Sequence, residues 1–476
     1  MRVVYLISIA CCTLLVKNIK AQPKPNADLK KTIKDIGDIF KRKKKDSTAV
    51  ATNANPPIPG SQTGSQPQES GNYTIISKPG EPAPGAKVID ADRIYPFNAG
   101  TAQVIKGNAS GLIDSAGNFT VPYNTVKIMN IFVAGPVGYT VNYNGIYLYN
   151  NINANWGGYI NSRGKILMKT GASNVVTDVT DNKMMVKSNN SSPKGVTYTY
   201  YAADGKVYNS AQLIEHIVDG IGIVQVNTNG HYIYYYKKLT GETISANYLD
   251  AAPFSDGMAR VGLQDAYGVM KYGYINTQGK LVIPCMFTEV PSDFSGGFAK
   301  VKPKDRSAFE YAFINKAGDI VFKQTLADVT KYGTFDHFTN YGLSFNDRYI
   351  LDTGFTLTLK TDFFKSFGLP ADSWFEEAGS YTIGETNPKL VFATRNIRGQ
   401  YTQMPVYGFI NLATRRVVMP VFDFINTNGL YFDPTSHLAY AKVCTGRDNK
   451  NVPIYREGYI NEDGLFVLVR GGGNTW

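Results

Sequence analysis

The residues best suited to chemistry stand together at Trp374-Phe375-Glu376-Glu377. Paired carboxylates beside a tryptophan platform suit sugar hydrolysis, one acid protonating the leaving oxygen while the other attacks or activates water. Adjacent glutamates are more often a solvated turn, so catalysis there is the minor expectation. Other catalytic material is thin. The four histidines, His216, His231, His337 and His437, have no second ligand three or four residues away, so no zinc pattern exists. Asp336-His337 lacks a serine in a strained GxSxG elbow. P-loop, EF-hand and dinucleotide-binding glycine patterns are missing, and no cofactor or metal is expected. Cys285 and Cys444 are either one disulfide in an oxidising compartment or two buried apolar thiols, the second being favoured.

Binding surfaces have more support. The 32 tyrosines concentrate in runs such as Tyr198, Tyr200, Tyr201 and Tyr232, Tyr234, Tyr235, Tyr236. On a strand these side chains alternate, so one aromatic face packs in the core and the other is free to stack on sugars or peptides. Trp156, Tyr234, Tyr236, Trp374, Glu376 and Glu377 are therefore the candidate ligand-binding residues. No arginines interleave with these aromatics, and nucleic acid is not expected as a partner.

These residues must be positioned by a repeat. An aromatic-Ile-Asn step recurs at Tyr159-Ile160-Asn161, Tyr274-Ile275-Asn276, Phe313-Ile314-Asn315, Phe409-Ile410-Asn411 and Tyr459-Ile460-Asn461. Turn glycines follow at Gly117, Gly164, Gly205, Gly241, Gly279, Gly318, Gly354 and Gly464, with Thr414 where one is missing. That makes nine units with a period near 40. Each Asn side chain is expected to bond the backbone two residues on, and each Gly to supply φ > 0 at the end of the turn. Phe254–Val261, Lys271–Pro284 and Phe294–Val301 alternate as strands, so each unit reads as a three-stranded meander. One unit cannot bury its own apolar face, and stacked neighbours must make the core. The expected fold is all-β, an open or superhelical array of such meanders, with a β-propeller as the alternative. Helical spacing is confined to residues 28–46 and, more weakly, Ser210–His216.

The run from Phe254 through Tyr272-Gly273-Tyr274-Ile275-Asn276 to Ala299-Lys300-Val301 resembles the WG repeat. The name-giving pair is present at Trp156-Gly157 and replaced by Tyr272-Gly273 and Tyr407-Gly408. The resemblance covers roughly residues 90–469. It implies an exported or envelope-associated bacterial repeat protein with a binding or scaffolding role and no shared catalytic residues.

The N-terminal stretch points the same way. Residues 1–22 read as a signal peptide, with Arg2 ahead of an uncharged run from Val3 to Val16, too short to span a bilayer. Lipid attachment at Cys11 is the alternative. Residues 23–46 form a basic amphipathic segment ending in Lys41, Arg42, Lys43, Lys44 and Lys45, suited to an anionic membrane surface or to plain solvation. Residues 47–88 read as a Pro/Ser/Gly-rich disordered linker, 89–469 as the repeat domain and 470–476 as a flexible tail. The net charge of +11 sits mostly on the signal and basic segments, leaving +3 from residue 47 onward. A nearly neutral body argues against an electrostatic nucleic-acid binder. The expected localisation is the periplasm, outer-membrane surface or extracellular space, and the expected partner a protein or envelope glycan. The enzymatic alternative is a surface polysaccharide-degrading enzyme with acids near 374–377.

Overall fold

The computed structural model describes residues 73–471 apart from 130–131, 134–138, 141–144, 151–155, 172–185, 193–194, 304–308, 340–341, 376–388, 395–404, 412–413 and 424–429. The signal peptide, the basic segment with Lys41–Lys45, and linker residues 47–72 lie outside the described residues.

Local chemistry dictates each unit. Asn161 Oδ1 accepts the amides of Arg163 and Lys165 at 3.0 and 2.9 Å. Asn276, Asn315 and Asn461 hold the amides two and four residues on in the same way, at 3.0 to 3.1 Å. Gly164, Gly279, Gly318 and Gly464 close these turns at φ of 75°, 75°, 87° and 70°. In unit 7 the turn starts at Asp352 and the residue with positive φ is Phe355 (61°), not Gly354. The backbone is bent there to stack the Phe355 ring on Phe322, 5.2 Å away and nearly parallel.

The glycine of the aromatic-Ile-Asn step has a different reason. The strand register shifts between the aromatic residue and Ile in units 2, 5, 6 and 9, a bulge that presses the returning strand against the middle one. A Cβ on Gly273 would lie 2.4 Å from the Ile283 carbonyl, and one on Gly458 2.1 Å from that of Leu468. Gly158 holds this position in unit 2, where its Cβ would meet Met168 O at 2.0 Å. Trp156-Gly157 is thus one residue out of step with Tyr272-Gly273, and along a strand one residue reverses the face.

Nine sheets of three to five strands make up the units: 93–121, 127–171, 186–210, 215–238, 250–287, 298–324, 343–359, 374–423 and 439–471. A two-stranded ribbon, Phe132–Val133 with Tyr139–Thr140, lies within unit 2. Two short helices, α1 (Leu326–Tyr332) and α2 (Lys360–Ser366), flank unit 7. The weak helical signal over 210–216 is not realised, because Val207–Ser210 and Glu215–Val218 pair as strands.

The core lies between sheets, not within them. Tyr159 of unit 2 packs toward Tyr201 of unit 3, Tyr274 and Ile283 of unit 5 toward Ala299 and Ile314 of unit 6, and Phe409 of unit 8 against Ala441 and Phe466 of unit 9. Tyr459 and Leu468 of unit 9 then pack against Val104 and Ile113 of unit 1. Turn glycines follow the same succession. A Cβ on Gly464 would meet Val418 of unit 8 at 2.6 Å, and one on Gly117 of unit 1 would meet Leu468 of unit 9 at 2.9 Å. No sheet closes on itself, but the succession of neighbours does. Of the two expected architectures, this cyclic order is the propeller-like one. A free-ended array would leave Tyr459 and Val104 in water, and burying such side chains contributes about 1.5–3 kcal/mol each.

Two strands complete the cycle. β1 (Thr74–Ile75) runs parallel to Arg416–Asp423 of unit 8, and β2 (Pro82–Asp90) parallel to Phe466–Gly471 of unit 9. The linker expectation therefore needs correction over 73–88, where a Pro-rich composition still pairs because both strands sit on an outer edge. The tail expectation needs correction at Arg470 and Gly471. Arg470 is bound to Glu457 at 2.6 Å and to the Asp92 carbonyl at 3.0 Å.

The tyrosine excess is largely structural. Tyr236, Tyr274 and Tyr459 donate to the carbonyls of Ala252, Ser292 and Tyr95 at 2.6, 2.6 and 2.7 Å. The hydroxyls of Tyr200 and Tyr311 accept the amides of Ile214 and Phe335 at 2.7 and 2.9 Å. Each tyrosine belongs to one unit and ties the segment leading into the next. Cys285 and Cys444 are unpaired thiols in units 5 and 9, and burial pushes the Cys285 thiol up to about 11.

Candidate functional site

In six units the residue just before the first laddered position is a glycine with positive φ: Gly100, Gly145, Gly220, Gly257, Gly297 and Gly342. Unit 9 places His437 there at φ 57°. The loop is built by Asp433, which is 2 % exposed. Its side chain accepts the Ser436 amide at 2.7 Å and the Gly100 amide of unit 1 at 3.0 Å, while its carbonyl accepts the His437 amide at 2.8 Å. A histidine forced into the left-handed region costs about 1 kcal/mol or more. The imidazole is 66 % exposed, so core packing does not explain it.

His437 Nδ1 lies 3.1 Å from Glu462 Oε1. Glu462 follows the turn-starting Asn461, and its other oxygen accepts from Asn411 Nδ2 of unit 8 at 3.0 Å. Arg416 of unit 8 pairs with Asp463 on the same turn. Part of this stitching is generic to the repeat, since Asn161 of unit 2 donates to the Ala203 carbonyl of unit 3 at 3.2 Å. The acid at Glu462 and the imidazole facing it are particular to this seam. Together with Thr414 and Ser436 they line an open pocket of about 280 Å³, near the lower end of the range for small-ligand sites. The pocket offers guanidinium, hydroxyl and imidazole donors beside carboxylate acceptors, with each charge paired. That arrangement suits hydrogen-bonded capture of a polar ligand.

The residues chosen from sequence are not brought together. Tyr236 is fully buried with its hydroxyl bonded to Ala252, so it has no surface to offer a ligand. Tyr234 is half-buried in the seam of units 4 and 5, its backbone laddered with Tyr248. Trp374 packs against the core of units 8 and 9. The Trp156 backbone pairs with Gly171, its side chain lying outside the described residues, as do Glu376 and Glu377 altogether. Lining up the units on their leading turns would have exposed His437 as the residue standing in for glycine.

Residues 272–305 match the profile of the WG containing repeat. The chain is a WG-repeat protein. In that stretch the WG-repeat glycine is Gly273, held by the close approach of Ile283. No curated protein matches the chain. Among solved structures the WG-repeat chain is similar to a eukaryotic initiation factor (11% identity, 80% of this chain and 98% of that one, TM-score 0.36). It is similar also to apo AztD from Citrobacter koseri (11%, 80% and 98%, 0.25). A third is the WD40 domain of SCAP from fission yeast (7%, 80% and 84%, 0.21). These TM-scores are too low to bear on function.

Proposed function

We propose that this WG-repeat protein is a non-catalytic binding or scaffold module, exported from a bacterial cell and working at the envelope or outside it. The observation that carries the reading is His437. A strained, exposed imidazole replaces a glycine that the repeat otherwise uses, and it faces Glu462 across a pocket that the core does not need. Donors and acceptors in alternation match a hydroxyl-rich ligand, which favours an envelope glycan over a protein as the partner of this pocket. Export rests on the N-terminal signal pattern, and the run Lys41–Lys45 is suited to holding the tether at an anionic membrane surface.

Sedimentation of the purified protein with insoluble cell-wall glycan tests the pocket. Binding is expected to weaken at least tenfold in Arg416→Ala and His437→Gly, and equal binding by both variants would remove the pocket from the proposal. Fractionation of cells tests export, and recovery in the cytosol with an uncleaved N-terminus would end that part. Turnover of a polysaccharide, abolished by Glu376→Gln or Glu377→Gln, would replace the whole reading with the enzymatic one.

A further inference from the structure

We propose that the outer edges of units 8 and 9 are docking surfaces for residues 73–90 of a second copy of this chain, so that two copies join by exchanging these strands.

The segment acts as a clasp. Thr74 and Ile76 donate to the carbonyls of Arg415 and Val417, both at 2.9 Å, along the edge of unit 8. Gly80 donates to the Gly464 carbonyl at 2.8 Å, and Phe466 to the Glu81 carbonyl at 2.9 Å. Arg456 Nη1 reaches the Gly80 carbonyl at 2.6 Å. Beyond a register shift, Lys87, Val88, Ile89 and Asp90 pair with Leu468, Val469, Arg470 and Gly471. Residues Ala91 and Asp92 then lead into unit 1.

Three features make the clasp exchangeable. Its grip is mostly backbone bonding, because both residues of β1 are exposed and Val88 is 73 % exposed. Ile89 is the buried anchor of β2 at 6 %. The edges beneath, Val417-Val418 and Phe466-Val467-Leu468-Val469, are β-branched-rich strands that template an added strand whenever they are bare. The segment also leaves from one point, the short join at Ala91 and Asp92, so lifting it disturbs little else. A second copy supplies the same residues in the same register, and the contacts made between chains equal those made within one. A twofold pair exchanging both clasps leaves no edge uncovered.

The register supplies the test. Full-length Val88→Cys and Val469→Cys chains are mixed, held briefly in sub-denaturing urea, returned to buffer and oxidised. The 88–469 disulfide is then sought by peptide mass spectrometry. In this mixture that bond joins two chains by construction. Its yield is expected to rise with protein concentration, and a dimer-sized species should appear by light scattering. The doubly substituted chain at high dilution is expected to form the bond within itself. The proposal fails if the double variant closes internally while the mixture yields no 88–469 bond at any concentration. It fails equally if the double variant does not form the bond, because the register then does not hold.

Discussion

The hydroxyl of Tyr459, in the last unit, donates to the backbone carbonyl of Tyr95, ahead of the first, at 2.7 Å across 364 residues of chain. Tyr274 makes the equivalent bond to Ser292 between successive units only 18 residues apart. One device therefore serves both ordinary seams and the seam that closes the cycle. Tyr459→Phe is expected to cost about 1–2 kcal/mol, the penalty for orphaning a buried acceptor. Amide exchange should quicken over 93–98, whereas Tyr274→Phe should quicken it near residue 292. If Tyr459→Phe leaves the 93–98 amides as slow as before, that bond does not hold the closing seam.

The Arg470–Glu457 pair guards the same seam, with side chains only 15 % and 13 % exposed. The Tyr440 hydroxyl also donates to Glu457. Glu457→Gln leaves a guanidinium without its counter-charge, a change that costs about 3–5 kcal/mol for a buried pair. Urea denaturation of the two proteins measures it, and a shift under half that size would show that water reaches the pair.

Gly458→Ala and Gly273→Ala place a methyl 2.1 and 2.4 Å from a carbonyl oxygen on the returning strand. Forcing the bulge apart is expected to cost about 2–3 kcal/mol. Gly446→Ala is the control, since its Cβ would meet nothing within 4 Å. It should stay within about 0.5 kcal/mol of the parent in thermal melts.

His437→Gly removes a left-handed side chain from the core's point of view, and stability should hold or rise by up to about 1 kcal/mol. A stability loss above that would mean the His437–Glu462 contact is structural, and the binding role would lose its main support.

Alkaline pH should unfold the protein cooperatively. Burial raises the hydroxyls of Tyr236, Tyr274, Tyr311 and Tyr459 well above 10.0, and those of Tyr123 and Tyr248 to about 12. The unfolded chain loses these protons near pH 10 while the folded chain keeps them, so the unfolded state binds fewer protons and stability falls as pH rises. The stabilisation is complete below pH 10 and drains between 10 and 12 and beyond. Melting temperature against pH, with tyrosinate absorbance near 295 nm, checks this. Tyrosinate appearing well before unfolding would show that the hydroxyls are more open than they look.

Much of a single unit was legible in the sequence because its determinants are local. Asn276 with Gly279 specifies a turn within four residues, and a period of two assigns Tyr274 to one face. His437 was harder to see, because the signal is a departure from a pattern visible only once leading turns are aligned. Tyr236 was misread for a different reason: alternation says that two faces are aromatic, but not which face a neighbouring unit will cover.

Charge distribution, unit count and turn chemistry follow from the chain alone, since each depends on residues a few positions apart. Only tertiary packing decided that unit 9 meets unit 1, that the Pro-rich residues 73–90 are strands, and that Glu462, Asn411 and His437 share one seam. Those contacts join residues tens to hundreds of positions apart, and no local period encodes them. They form because Val104, Ile113, Tyr459 and Leu468 can leave water only against one another.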